Sequence, residues 1–350
     1  MKKNTLVFHI EDAAHEEQLE EAAKILKQGG LVAFPTETVY GLGADALNEK
    51  AVMQIFEAKG RPADNPLIVH VDSKESCRKL VKSIPEKAVI LMDKLWPGPL
   101  TLIMERKEIV PDVTTGGLDT VAIRMPENKV ALELIRSAGV PVAAPSANVS
   151  GRPSPTTAEH VLCDLSGKID AIIDGGEVSI GVESTVIDMT TDVPVILRPG
   201  KVSKEDLEVY IGEVSIGYDD KVHPESKTVR SPGMKYTHYS PDSSVILVEG
   251  EHGKVVPKMK ELLADLDQRD AGVAMLLTEE SIPSFPSVTS YSLGKKDMPE
   301  QAAKNLFFGL RHLDEKDIDI IIVDGSFRQE GIGMAVFNRV RKAAEMVIRV

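Results

Sequence analysis

Between residues 31 and 200 the chain is written in short apolar runs, each stopped by a proline, a glycine or a polar cluster. That brevity constrains the fold most, because runs of this length read as buried strands. They are LVAFPT (31–36), PLIVHV (66–71), LTLIMER (100–106), VAIRMP (121–126) and VPVAAP (140–145), then DAIIDGG, STVIDM and PVILRPG before residue 200. Helical spacing of apolar residues falls between the earlier runs, over 15–28, 49–58, 74–82, 85–94 and 128–138. Strands interleaved with helices predict an α/β domain. The last three runs follow one another without helices, so a twisted, mixed open sheet flanked by helices is expected rather than a purely parallel one.

Residues 212–243 lose this rhythm and hold Gly, Pro, Asp, Ser and Lys, the signature of a linker. From SSVILVEG (243–250) a second β/α alternation begins and runs to MVIRV at 346–350. The expected organisation is a first domain over 1–211, a linker over 212–243, and a smaller Rossmann-like α/β domain over 244–350.

The net charge of −13 falls on both halves, which disfavours tight, sequence-independent binding of nucleic acid. It leaves room for a local positive pocket that takes a small anion. Two cysteines, Cys77 and Cys163, make no framework; they read as buried small hydrophobes in a reducing compartment. No apolar run reaches the ~18 residues of a membrane span, and the N-terminus does not read as a secretory signal. A cytoplasmic protein is expected.

The standard phosphate and nucleophile motifs are missing. There is no G-x-x-x-x-G-K-[ST], no HExxH and no G-x-S-x-G. The Gly-x-Gly at 331–333 reads as a tight helix start. What remains is a set of cations and hydroxyls at strand ends, where α/β sheets gather their ligands. PTETVYGLG (35–43) offers hydroxyls, and glycines that permit close backbone approach. KGRP (59–62) puts Lys59 and Arg61 on a stiff loop; they can serve the helix dipole or aim at a phosphate. Arg124 interrupts the apolar VAIRMP, so if buried it needs an anion, either an internal carboxylate or one from a substrate. PSANVSGRPSPT (145–156) is rich in hydroxyls and backbone amides, VESTVID (182–188) adds Ser184 and Thr185, and LRPG adds Arg198. Together they fit a multiply anionic small molecule.

PTETVYGLG, KGRPADNPLIVH, WPGPLT, VAIRMP, PSANVSGRPSPT, VESTVID and LRPG, followed by SPGMKYTHYSP (231–241), resemble in order and spacing the two-domain form of the YrdC-like family. The resemblance covers essentially the whole chain. It implies an L-threonylcarbamoyladenylate synthase, in which L-threonine, bicarbonate or CO2, and ATP give threonylcarbamoyl-AMP and pyrophosphate. The product then passes to a transferase complex that modifies tRNA. By resemblance, Lys59 and Arg61 act on the ATP phosphates and are the catalytic pair. Thr38, His70, Arg124, Ala144 and Ser184 contact threonine. Asn65, Thr120, Ser146, Asn148, Ser154 and Arg198 line the nucleotide side, joined by Tyr236 and Tyr239 of the linker. Mg2+ is expected with ATP, although no ligand set for it is readable. The basic stretch with Lys221, Lys227, Arg230 and Lys235 is expected to act as a lid. The alternative is an RNA-binding module of the same fold, which the acidic balance opposes.

Overall fold

In this computed structural model the described residues are 3–10, 16–218, 239–316 and 318–350. Of the expected lid, residues 221–240, all but the last two lie outside them. The chain divides into two compact units: one built from residues up to 218, less 151–153 and 180–182, and one that takes those two stretches and 239–350.

The first unit carries an eleven-stranded sheet. Its strands are β1 (Leu6–His9), β2 (Val32–Phe34), β3 (Gly41–Asp45), β4 (Ile68–His70), β5 (Leu100–Glu105), β6 (Thr120–Arg124), β7 (Val142–Ala143), β8 (Ala171–Asp174), β9 (Thr185–Asp188), β10 (Val195–Arg198) and β11 (Ser215–Ile216). The spatial order is β1-β8-β2-β3-β7-β4-β6-β5-β9-β10-β11. β4 and β6 run parallel, β5 and β6 antiparallel, β5 and β9 parallel, and β9 and β10 antiparallel, so the sheet is mixed, as the helix-free end of the pattern predicts.

Alternation along the strands separates two faces. Val69, Ile123, Leu102, Ile187 and Ile196 point into the large core with Val52, Ile55, Leu91 and Leu207 from the helices. Their neighbours Ile68, Ala122, Ile103, Val186 and Leu197 form a separate apolar floor on the other face. The helix Glu49–Lys59 is set by its ends. Asn48 caps it by accepting from the amides of Lys50 and Ala51, and Gly60 stops it at φ 61, a left-handed conformation that favours glycine.

The sequence reading misses β1, β3 and β11; β11 lies inside the expected linker over 212–243 yet pairs with β10, being only two exposed residues long. β1 is short and largely exposed, so it has almost no apolar alternation to read. β3 is the GLGAD stretch, whose glycines resemble a turn. They are required by contact: a Cβ on Gly43 would sit 2.8 Å from both Phe34 Cε1 and Val142 Cγ1. The close approach expected there is therefore between strands. Cys77 is buried as expected, but Cys163 is exposed, because it lies on the solvent side of the helix Ala158–Leu165.

The second unit is a five-stranded, wholly parallel sheet of β12 (Ser244–Glu249), β13 (Val273–Thr278), β14 (Thr289–Gly294), β15 (Ile320–Gly325) and β16 (Met346–Arg349), ordered β14-β13-β15-β12-β16. The helix His252–Asp267 packs Val255 and Met259 onto Val248, Met275 and Ile322. Gly309 of the helix Pro299–Asp314 lies against Leu276, on the opposite face. Buried Asp324 ties the ends of β13 and β15 together by accepting from the amide and hydroxyl of Thr278 and from Ser281. Gly331 is indeed a helix start, at φ 54, and a Cβ on Gly333 would lie 2.0 Å from the Arg328 carbonyl. Among the described residues no helix is long and apolar enough to cross a membrane.

Gly43→Ala is expected to lower stability by about 1–3 kcal/mol, since the added methyl meets two packed side chains. Chemical denaturation of the variant beside the unaltered protein measures this.

Candidate active site

A single row of side chains crosses five neighbouring strands on the floor side of the first sheet. In register, His70 of β4 lies beside Arg124 of β6, and Arg124 beside Thr101 of β5. Thr101 is level with Val186 of β9, and Val186 with Arg198 of β10. Arg198 reaches this face through a bulge: Ile196 pairs with Ile187, yet Arg198 pairs with Val186. Without the extra residue Arg198 would share the face of Ile196 and point into the helix-packed core. Re-aiming a side chain is what a bulge does.

The row is linked by hydrogen bonds. Thr101 and Ser184 share a hydroxyl–hydroxyl bond of 2.8 Å. Arg198 donates to the Ser184 carbonyl at 3.0 Å and to its hydroxyl at 3.1 Å. Arg124 donates to the Gly98 carbonyl at 3.2 Å and to the Thr38 hydroxyl at 2.9 Å. Its Nη2 meets Glu37 Oε1 at 2.6 Å, with both side chains almost fully buried. Of the two anions that the sequence leaves open for Arg124, this structure supplies the internal one. Glu37 is the residue that the sequence reading passes over. Its signal was the carboxylate inside PTET, but nothing in the sequence joins residues 87 positions apart. Breaking such a buried pair from one side costs about 3–5 kcal/mol.

His70 is buried at the end of the row with its ring edge-on to Phe34. Burial, and next the positive charge of Arg124, push its imidazolium pKa down to about 3. The ring is therefore neutral near pH 7, and its Nδ1 is buried without a hydrogen-bond partner among the described residues.

A second group lies at the other end of the same strands, where β4 and β6 begin. Thr120 opens β6, four residues and so about 13 Å from Arg124 along the strand. Lys59 is 2 % exposed, and its ammonium donates to the carbonyls of Ser146 and Asn148, each at 2.5 Å. The Ser150 amide returns a bond to the Lys59 carbonyl. Lys59 thus clamps the loop after β7, beyond what a helix-dipole role requires. Arg61 folds over its own loop and donates to the Pro66 carbonyl at 3.2 Å. Asn65 is buried, and its Oδ1 has no hydrogen-bond partner among the described residues. Ser154 donates to Glu183 at 2.5 Å, a second buried carboxylate not anticipated from sequence. The loop is zipped to PTETVYGLG by backbone bonds from Leu42 to Pro145, Ala147 to Tyr40 and Tyr40 to Pro155. The Ala144 amide is taken by the Ile68 carbonyl. That amide is therefore already used within the sheet, which leaves the Ala144 carbonyl for the expected threonine contact.

Two of the expected nucleotide contacts belong to the linker. Tyr236 lies outside the described residues. Tyr239 is buried in the second unit with its ring stacked on Phe307 at 5.2 Å, and it carries a positive φ of 68. Among the described residues no group of three or more His, Cys, Asp or Glu side chains could hold a metal ion.

Residues 24–200 match the family model Sua5_yciO_yrdC, described as Telomere recombination, and residues 202–345 match Sua5_C, described as Threonylcarbamoyl-AMP synthase, C-terminal domain. The chain belongs to the Sua5/YciO/YrdC family. The Threonylcarbamoyl-AMP synthase of Pyrococcus abyssi is 49 % identical over 345 residues, 97 % of this chain and 98 % of that protein. The one of Bacillus subtilis is 46 % identical over 333 residues, 95 % and 94 % of the two chains. Among solved structures, P. abyssi Sua5 complexed with L-threonine is similar at TM-score 0.92 and 49 % identity, covering 99 % of this chain and all of that one. This family's two-unit architecture is therefore the one described above.

The displaced His70 equilibrium gives a pH prediction. The native ring binds a proton only near pH 3, whereas an unfolded histidine binds one near 6.5, so its contribution to stability is complete above pH 6.5 and is lost as pH falls towards 3. Between pH 6.5 and 5 the unaltered protein should lose about 2 kcal/mol more stability than His70→Gln. Urea unfolding of both at each pH measures the difference.

Proposed function

We propose that this protein is a threonylcarbamoyl-AMP synthase, a nucleotidyltransferase that joins L-threonine, bicarbonate or CO2, and ATP. The observation that carries the reading is the polar row itself: a buried guanidinium beside a neutral imidazole and two hydroxyls, at the far end of an apolar floor from a lysine-clamped loop. The names and sequence identities of its relatives support the same reading.

In this reading the threonine amine captures CO2 to give a carbamate. A carbamate oxygen then attacks the α-phosphorus of ATP, and pyrophosphate leaves. No protein nucleophile is required, which agrees with the missing nucleophile motifs; the site positions its reactants and stabilises charge. Arg124 forks onto the threonine carboxylate, with Thr38 and Ser184 beside it. A neutral His70 with so low a pKa is a poor base, so its role is to orient threonine by accepting a hydrogen bond at Nδ1. The open end of the Ala144 contact is its carbonyl. On the nucleotide side, Arg61 faces the phosphates, Lys59 acts on them through the loop that its ammonium holds, and Asn65, Thr120, Ser146, Asn148 and Ser154 hold the rest of ATP; Arg198, bonded to Ser184, reaches ATP from the end of the polar row. The described residues present no carboxylate cluster for Mg2+, so no step is assigned to it. The product would pass to a separate tRNA-modifying transferase.

With threonine, bicarbonate, Mg2+ and labelled ATP, pyrophosphate release should depend on threonine; release that ignores threonine would overturn the assignment. Arg61→Ala should lower this turnover by roughly a hundredfold while the thermal unfolding curve stays in place. Near-normal turnover would remove Arg61 from the site.

A further inference from the structure

We propose that Glu37 binds the α-ammonium group of the amino-acid substrate, and that Glu37 and Arg124 exchange partners when a zwitterionic amino acid enters. The inference rests on the reading of this row as a threonine subsite.

Both side chains are about nineteen-twentieths buried, and their charges touch at 2.6 Å. Yet neither Glu37 oxygen, nor Arg124 Nη2, has an aligned hydrogen bond among the described residues. Buried charges normally satisfy their lone pairs and protons, so this pair is incomplete as a purely structural device. The rest of the guanidinium is well held, at Nε by the Gly98 carbonyl and at Nη1 by the Thr38 hydroxyl. Nη2 is the edge available to change partners. Glu37 is anchored through its backbone, where Ser179 donates to its carbonyl at 3.3 Å.

A substrate carboxylate that takes Nη2 from Glu37 strands a buried anion. An α-amino acid answers this within one molecule, because its ammonium is one carbon away from its carboxylate. Before binding, Glu37 neutralises Arg124. After binding, the substrate carboxylate neutralises Arg124 and the ammonium neutralises Glu37. The number of charges in the pocket rises by two, but none is left alone. His70 cannot supply the missing cation, being neutral near pH 7. A ligand with a carboxylate and no ammonium leaves Glu37 unpaired and is rejected.

The test is calorimetric titration of the full chain with L-threonine and with 2,3-dihydroxybutanoate, which carries a hydroxyl in place of the ammonium. The unaltered protein should prefer threonine by roughly a hundredfold. Glu37→Gln should weaken threonine binding, leave the deaminated acid unchanged or tighter, and collapse that preference. Glu37→Asp, which keeps the charge, should retain most of it. A Glu37 that only stabilised the fold would weaken both ligands alike, so an unchanged preference in Glu37→Gln overturns the proposal. If Glu37→Gln does not fold, the unaltered protein decides: equal affinity for the two ligands overturns the proposal. Absence of threonine binding by the unaltered protein would instead remove the functional reading beneath it.

Discussion

A guanidinium inside a sheet has to meet negative charge, and much of the first unit is arranged around the one at Arg124. The WPGPLT turn brings the Gly98 carbonyl to its Nε, the β2–β3 connection brings Thr38 and Glu37 to its other edges, and β4 and β5 place His70 and Thr101 on either side. Two loops and three strands, β6 included, are thus fixed by the cost of burying one cation. Burial lowers the basicity of His70 and the same charge lowers it further, so part of the neighbouring residue's electrostatics follows from Arg124 as well.

The sequence made the strand ends legible because apolar runs and their punctuation are local. LVAFPT, VAIRMP and PVILRPG each appear as strands near their expected places, and the mixed sheet followed from the missing helices. Partners were not legible, because they are set by strand order. Glu37 meets Arg124, and Ser154 meets Glu183, across sequence gaps that no periodicity spans. Arg198 was singled out as a strand-end cation, but the bulge that turns it to the right face depends on how β10 pairs with β9. GLGAD hid a strand because glycine lowers the local β signal, even where close packing demands it. In sequence Lys59 reads as a cation for the helix dipole or for a phosphate; its carbonyl clamp on Ser146 and Asn148 appears only once the loop after β7 is placed.

The two units solve the α/β problem differently. The second is wholly parallel and closes the ends of β13 and β15 with a buried carboxylate fully used by hydroxyls and amides. Asp324 is what a structural acid looks like in this protein. Glu37 differs, having charge contact and no aligned hydrogen bond. The contrast separates an acid that completes a fold from one whose bonding is still open.

The row from His70 to Arg198 draws on residues spread over more than a third of the chain and exists only when five strands hold their mutual register. A chain in which any one of these pairings is missing therefore lacks the complete row. Evolution is correspondingly free to lengthen the connections but not the strands: one residue gained or lost inside β5, β6 or β10 would turn a polar group into the helix-packed core. Strand length, as much as residue identity, is therefore what this row of side chains requires.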